Sequence, residues 1–230
     1  MQKKPEYYAF FDVDGTLLKG KPMLSFLNFY YRSRFKRFPK FGEIKFKQFI
    51  TMSFILNKFG VPREVLNRLY YKCYKNQSAW WLKNIGKQWF TACVEQMPNS
   101  YHPNIVLELI KHQKNGAEIV FVSGSFPACL EPIANKFNVK TILATTMKIK
   151  GDYYTGEIQN IQTIGQGKVQ AIKNFLKKEN YDDLERCYAY GDHHSDFPML
   201  SLVGHPRVVA GDTAVENHAK EMRWNIIQPM

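Results

Sequence analysis

Three short runs of this chain carry residues that could act together on a phosphate group. Asp12-Val13-Asp14-Gly15-Thr16 follows an aromatic and apolar run, Ser123-Gly124-Ser125 follows the apolar run Glu118–Val122, and Gly191-Asp192-His193-His194-Ser195-Asp196 follows Arg186–Tyr190. A further candidate, Lys168, opens a helical pattern after Gly165-Gln166-Gly167. Two carboxylates in different environments can divide the work of group transfer, one ionised to attack and the other holding a proton for the leaving oxygen. A turn at Gly15 can bring Asp12 and Asp14 to one pocket for that purpose. Asp12 and Asp192 offer the hard oxygen ligands that Mg²⁺ prefers, and such an ion would relieve repulsion between an anionic nucleophile and an anionic phosphate. Ser123, the backbone N–H groups around Gly124 and the Lys168 ammonium suit the phosphate oxygens and the charge that develops on them.

The elements that must position these residues alternate in type. Tyr7–Val13 reads as a buried strand running into a turn, as does Glu118–Val122. Thr141–Met147, Arg186–Tyr190, Arg207–Ala210 and a short run near Trp224–Ile227 also read as strands. Between them Pro103–Asn115, Cys129–Phe137, Lys168–Lys178 and Thr213–Met222 read as helices, the first with Pro in its opening turn and Gly116 just past its end. Lys150–Gln159 has the glycines of a short hairpin. The expected fold is therefore α/β, a Rossmann-like parallel sheet with helices on both faces and ligands outside the carboxyl ends of its strands. Residues 19–100 interrupt this alternation with long basic and aromatic segments that read as helices, broken at Pro39, Gly60–Pro62 and Pro98–Asn99. The expected division is a catalytic core from residues 1–18 and 101–230, with a helical insertion at 19–100.

Composition limits the alternatives. A chain of 230 residues with 45% hydrophobic and 23% charged residues can bury a sizeable core. Its formal net charge of +12 implies attraction to anions without choosing among phosphorylated metabolites, nucleic acid and an acidic membrane surface. Cys73, Cys93, Cys129 and Cys187 are scattered, which argues against a zinc site or a disulfide framework. The run MQKKPEYYAFFDVDGT has no cleavable apolar region, and no apolar stretch approaches the ~20 residues needed to span a bilayer. A cytoplasmic protein with reduced cysteines is expected. Nothing in the sequence indicates an oligomeric state.

Taken in order, FFDVDGTLL, IVFVSGSF, GQGKV, YAYGDHHSDFPML and VGHPRVV resemble the haloacid dehalogenase superfamily, and its phosphoserine-phosphatase-like subfamily in particular. The resemblance covers nearly the whole chain. It implies a Mg²⁺-dependent phosphatase that hydrolyses a phosphate monoester of a small substrate through an aspartyl-phosphate. By that resemblance Asp12 is the nucleophile and Asp14 the general acid and base. The backbone carbonyl of Asp14 joins Asp12 and Asp192 around the metal, Ser123 and Lys168 bind phosphate, and Asp196 orients Lys168 or supports the metal shell. Thr16 supports the turn after the nucleophile, and the helical insertion resembles the family's mobile cap. Transfer to an alcohol instead of water, as a phosphotransferase, stays open.

Two departures from the subfamily bear on the substrate. Phosphoserine phosphatases carry a glutamate nine positions after the nucleophile to hold the substrate ammonium, and an ungapped count from Asp12 reaches Lys21. A lysine there would attract an anion and repel an amine. Ser125 stands where those enzymes usually carry glycine. Elsewhere, Tyr30–Phe49 interleaves Arg32, Arg34, Lys36, Arg37, Lys40, Lys45 and Lys47 with aromatics, a pattern that can bind nucleic acid or an anionic membrane surface. The favoured reading is that the aromatics are buried and the basic residues solvated. His193 and His194 lack the spacing that aims two imidazoles at one ion and read as loop residues near the pocket mouth.

Overall fold

The computed structural model describes residues 5–229. Its centre is a six-stranded sheet of β1 (Tyr8–Phe11), β2 (Glu118–Ser123), β3 (Thr141–Ala144), β6 (Tyr188–Gly191), β7 (His205–Val209) and β8 (Asn225–Ile227). The order across it is β3-β2-β1-β6-β7-β8, and every pairing is parallel. The hairpin of β4 (Met147–Lys150) and β5 (Tyr153–Ile158) stands apart from the sheet.

Alternation along the strands fills both faces of the sheet. Tyr8, Phe10, Val120, Val122, Ala189 and Val208 pack toward Ile172 and Leu176 of α7 (Gln166–Glu179), Met199 and Leu200 of α8 (Phe197–Leu200), and Val215 and Ala219 of α9 (Thr213–Glu221). Ala9, Phe11, Ile119, Phe121 and Tyr190 turn the other way, toward α5 (Pro103–Lys114) and α6 (Pro127–Lys136). On this side the Phe11 and Tyr190 rings stack with centroids 4.1 Å apart.

Between β1 and α5 the chain forms four α-helices, α1 (Pro22–Arg34), α2 (Pro39–Lys58), α3 (Arg63–Lys72) and α4 (Ala79–Phe90), the last running on into a π-helical turn at Thr91–Glu95. The breaks fall where proline and glycine forbid continuation, at Pro39 and around Gly60-Val61-Pro62. These helices share one apolar cluster with the sheet. Phe26, Tyr70, Tyr71 and Tyr74 close around Phe126, which lies just ahead of α6, and Tyr30 and Trp89 pack behind them on Tyr74 and Phe26. The β4–β5 hairpin joins them: Asn76 N–H donates to the Tyr154 carbonyl at 2.8 Å and Ala79 N–H to the Asp152 carbonyl at 2.9 Å. No helix among the described residues is long and apolar enough to cross a membrane.

Most strands start or stop within two residues of expectation, but one expected strand is split. Thr141–Met147 is not continuous, because Thr145 leaves the sheet. Its N–H donates to the Ser125 carbonyl at 3.2 Å, and its hydroxyl accepts from the Thr163 N–H at 2.9 Å. The polar side chain is thereby satisfied inside the protein, and the chain turns into β4. Cys73, Cys93, Cys129 and Cys187 are free thiols, the last two buried.

Candidate active site

Strand order decides where the chemistry collects. β1 is flanked by β2 and β6, and the chain runs outward in opposite directions from this centre. At such a reversal the connections leave on opposite sides and a crevice opens at the carboxyl ends of the strands. Asp12, Ser123 and Asp192 sit at the ends of those three neighbouring strands.

After β1 the chain folds tightly. Leu17 and Leu18 N–H groups both donate to the Val13 carbonyl, and Gly15 N–H donates to the Leu18 carbonyl at 2.9 Å. Gly15 has φ +90°, and a Cβ there would overlap the Asp192 carboxylate. Glycine therefore permits both the turn and the close approach of the third strand end. Thr16 completes the link by donating its hydroxyl to Asp192 Oδ1 at 2.8 Å. The turn brings Asp12 and Asp14 to the lining of one pocket, and the Thr16 side chain, expected to support the turn, bonds the third carboxylate.

Lys168, in the first turn of α7, reaches inward with only 3% of its side chain exposed. Its Nζ lies 2.6 Å from Asp12 Oδ1 and 2.7 Å from Asp196 Oδ1. Burial works against the ammonium, but Asp12 and Asp196 more than offset it and hold the lysine above its ordinary value. Burial pushes Asp12 up against the pull of Lys168, with Asp196, Asp192 and Asp14 adding to the rise. Asp192 is pushed up to about 6, first by burial and then by Asp196, against Thr16, Lys168 and Arg63. Oxygens of Asp12, Asp192 and Asp196 lie within 4.8 Å of one another. One lysine does not neutralise this cluster, and its all-carboxylate donors at that spacing fit a divalent cation bound through oxygen.

Asp14 is held from the second strand end. Ser123 and Ser125 both donate their hydroxyls to its Oδ2, at 2.9 and 2.8 Å. Ser123 also accepts from the Ser125 N–H at 3.0 Å, and both serines are buried. The pocket wall at this point is Gly124. The Ser123 hydroxyl, expected on a phosphate, thus faces Asp14 here. Ser125, noted only as a departure from glycine, is its partner.

The pocket is small, about 40 Å³, and lies between the strand ends and the helical insertion. From the insertion it is bordered by Met23, Arg63 and Asn67. Arg63 NH1 donates to His193 Nδ1 at 2.7 Å and to Ser195 Oγ at 3.0 Å. Asn67 Nδ2 donates to the Gly124 carbonyl at 3.3 Å, and Tyr71 OH donates to the same oxygen. These contacts cross the seam. Since an arginine can only donate, the His193 Nδ1 is an acceptor and its ring is neutral. Burial, with Arg63 and His194, pushes His193 down to about 4. His193 is at the pocket wall, as its loop position suggested.

Lys21 is elsewhere. It is exposed at the N-cap of α1 and borders a separate depression with Leu18, Ser25, Trp89 and Ser100. Pro22 starts the helix immediately after it, and the first turn presents Met23 to the pocket instead. The ungapped count from Asp12 carried no information about this helix start. Arg63 and Asn67 had no sequence signal, since nothing in a basic helical segment distinguishes the residues that face a pocket.

Residues 9–201 match the haloacid dehalogenase-like hydrolase family. The chain belongs to that family. Among curated proteins the chain is similar to a probable phosphatase of Mycobacterium tuberculosis, 29% identical over 95% of this chain and 74% of that protein. An "inhibition of morphological differentiation protein" of Streptomyces azureus is 27% identical over 97% of this chain and 78% of its own length. Among solved structures, a Bordetella pertussis protein of unknown function superposes with a TM-score of 0.85 at 20% identity, covering 98% of this chain and all of that one. A substrate-bound phosphoserine phosphatase superposes at 0.67 with 15% identity, covering 100% and 95%. The sheet and its helical insertion are thus a fold this haloacid dehalogenase-like hydrolase shares with phosphatases.

Proposed function

We propose that this hydrolase is a Mg²⁺-dependent phosphatase of small phosphate monoesters, acting through an aspartyl-phosphate on Asp12. The observation that carries the reading is the buried Asp12 carboxylate, fixed by Lys168 at 2.6 Å and facing the same pocket as Asp14. The family and the relatives named as phosphatases support it.

Asp12 attacks phosphorus, and the bond from phosphorus to the ester oxygen breaks. Asp14 delivers a proton to that oxygen, and then takes one from the water that attacks the aspartyl-phosphate. Ser123 and Ser125 fix the orientation of the Asp14 carboxylate through Oδ2. Lys168 holds Asp12 in place and supplies positive charge for the incoming phosphate, while Asp196 holds Lys168. Asp12 and Asp192, with the Asp14 carbonyl, would hold Mg²⁺. Bound there, the ion would offset the repulsion between carboxylate and phosphate and stabilise charge in the transition state. Asp196 completes the anionic setting that retains both cations.

Residues 19–100 serve as a cap over the core of 1–18 and 101–230. A pocket of about 40 Å³ is too small for a metabolite, so α3 must lift and its Arg63 and Asn67 contacts must break for entry. The cap offers the pocket Met23, Arg63 and Asn67, and no carboxylate among the described residues. A substrate ammonium therefore finds no partner there, whereas an anionic or neutral group beside the phosphate suits Arg63. The favoured substrates are amine-free monoesters. The relatives named histidinol-phosphatase and phosphoserine phosphatase match only 50% of this chain, so their names do not set its specificity.

The test is phosphate release from an aryl phosphate and from phosphoserine, with Mg²⁺ and with a chelator. Asp12→Asn should lower turnover by ~10³-fold or more, because an amide is a far weaker nucleophile than a carboxylate. Near-normal turnover in that variant would remove Asp12 as nucleophile. Full activity in chelator would remove the metal, and a marked preference for phosphoserine would remove the substrate class.

A further inference from the structure

Helix α2 is 20 residues long, yet only Gly42 and Phe49 on it are buried. At 100° per residue, positions 41, 44, 48, 52, 55 and 59 stack on one side. Phe41, Ile44, Met52, Ile55 and Phe59 occupy five of these six positions, all exposed, with Ile44 at 50% and Phe59 at 80%. Phe38 ahead of the helix and Phe54 near its end are also exposed, at 70% and 69%. The opposite side, Gly42, Phe46, Phe49, Ile50 and Ser53, is turned toward the rest of the protein. The helix is therefore apolar on two faces, and one of them is uncovered. An open groove of about 600 Å³ runs along it between Ile44 and Leu56.

The surrounding charge has one sign. From Arg32 to Phe59 there are eight lysines and arginines against the single acid Glu43. By helical position, Lys45 flanks the stripe on one side and Lys40, Lys47 and Lys58 on the other. The aromatics of this segment were expected to be buried, and Tyr30, Tyr31 and Phe49 are. Phe38 and Phe41 are not: the buried side of α2 carries Gly42 and Phe49, and Phe41, though its ring meets that of Phe35 at 4.8 Å, stays exposed.

An uncovered apolar stripe bordered by lysines matches the surface of an anionic bilayer. Aliphatic chains enter the acyl boundary while lysines extend to the headgroups. A second copy of the chain would face the same cationic patch and be repelled. Single-stranded nucleic acid stacks on successive aromatic faces, whereas the middle of this stripe, Ile44, Met52 and Ile55, is aliphatic and leaves Phe41 and Phe59 only at its two ends. We propose that α2 lies on anionic lipid surfaces, with the stripe from Phe41 to Phe59 inserted at the headgroup boundary. The stripe ends four residues before Arg63, so docking sets the seam of the pocket beside the membrane.

The test is cosedimentation of the full chain with vesicles of phosphatidylcholine alone, and with about 30 mol% phosphatidylglycerol, in low salt and in about 0.5 M salt. Binding should be roughly tenfold or more tighter to the anionic vesicles and should weaken with salt. Ile44→Asp with Ile55→Asp should reduce it by roughly tenfold or more while leaving hydrolysis in solution and the melting temperature unchanged. Should that pair fail to fold, Lys40→Gln with Lys47→Gln, at exposed polar positions, should still weaken anionic binding severalfold. Absence of binding to anionic vesicles overturns the proposal, as does binding indifferent to both variant pairs. A lipid-free dimer broken by the aspartate pair, or an oligonucleotide complex with no vesicle binding, would assign the face to a second copy or to nucleic acid instead.

Discussion

The pocket and helix α2 depart from the ordinary distribution of residues in opposite directions. In the pocket, charged groups are buried, and Lys168 binds two carboxylates at 2.6 and 2.7 Å. On α2, large apolar side chains face water with little among the described residues to cover them. Burying a charge is offset when the partner and geometry are supplied by the same fold, and here three strand ends and α7 supply them. An uncovered apolar stripe has no such internal compensation, which points outside the molecule. Dense internal partnering marks the site where the chain acts, and missing internal partnering marks the face where it is held.

The sharpest way to break the pocket half of this contrast is Lys168→Met. Removing the ammonium leaves Asp12 and Asp196 buried without their counter-charge, and the expected loss of stability is about 3–5 kcal/mol by urea denaturation, measured without added metal. A loss below about 1 kcal/mol would mean that the carboxylates do not depend on their partner.

The next effect concerns a buried polar group outside the pocket. His112 accepts from Tyr7 OH at Nδ1 (3.0 Å) and donates from Nε2 to Tyr190 OH (2.7 Å), which itself donates to Glu108. Burial pushes it down to about 4; Lys111, Arg207 and His205 add to the fall and Glu108 opposes it. Between pH 6.5 and about 4 the unfolded chain binds a proton that the native histidine refuses, so stability falls as pH falls through this window. The expected contribution is up to about 3 kcal/mol. His112→Gln should flatten the pH dependence of the urea midpoint over that range, and an unchanged slope would refute the assignment.

Arg63 sharpens the comparison at the seam. Arg63→Ala removes the cap's donors to His193 and Ser195, and kcat/KM should fall roughly tenfold, about 1.4 kcal/mol, with little change in melting temperature. The smallest effect belongs to α2. Phe54→Ser should change stability by no more than about 0.5 kcal/mol, because the exposed ring contributes little to the folded state. A loss of about 2 kcal/mol would show that this helix is covered within the chain after all.

Much was legible from sequence because it depends on local chemistry. Apolar runs that end in a glycine-bearing turn mark strand ends, which made Asp12, Asp14 and Asp192 legible, and Lys168 was legible from the glycines ahead of its helix. Asp196 was named as well, for Lys168 or the metal shell, and the fold leaves both roles in reach: it bonds Lys168 and shares the carboxylate cluster with Asp12 and Asp192. The insertion's breaks at Pro39 and Gly60–Pro62 follow from backbone sterics alone. Lys21 and Ser123 show the opposite case. A count of nine residues from Asp12 could not register that Pro22 opens a helix and presents Met23. The hydroxyl of Ser123 could not be assigned before Ser125 and Asp14 were known to converge on it.

By itself, then, the sequence determined the alternation of strand and helix, the strand ends that carry carboxylates, and the excess of positive charge between Arg32 and Phe59. These follow from periodicity, glycine and proline, and side-chain type, all of which act within a few residues. Only the tertiary structure decided that β1 lies between β2 and β6, which gathers Asp12, Ser123 and Asp192 at one crevice. It alone placed Arg63 and Asn67 over that crevice and left one face of α2 uncovered. Which faces of an amphipathic helix are buried depends on how many neighbours reach it, and α2 packs on α1 and α3 along a single edge. Burial is a property of the assembled layers, and no local pattern contains it.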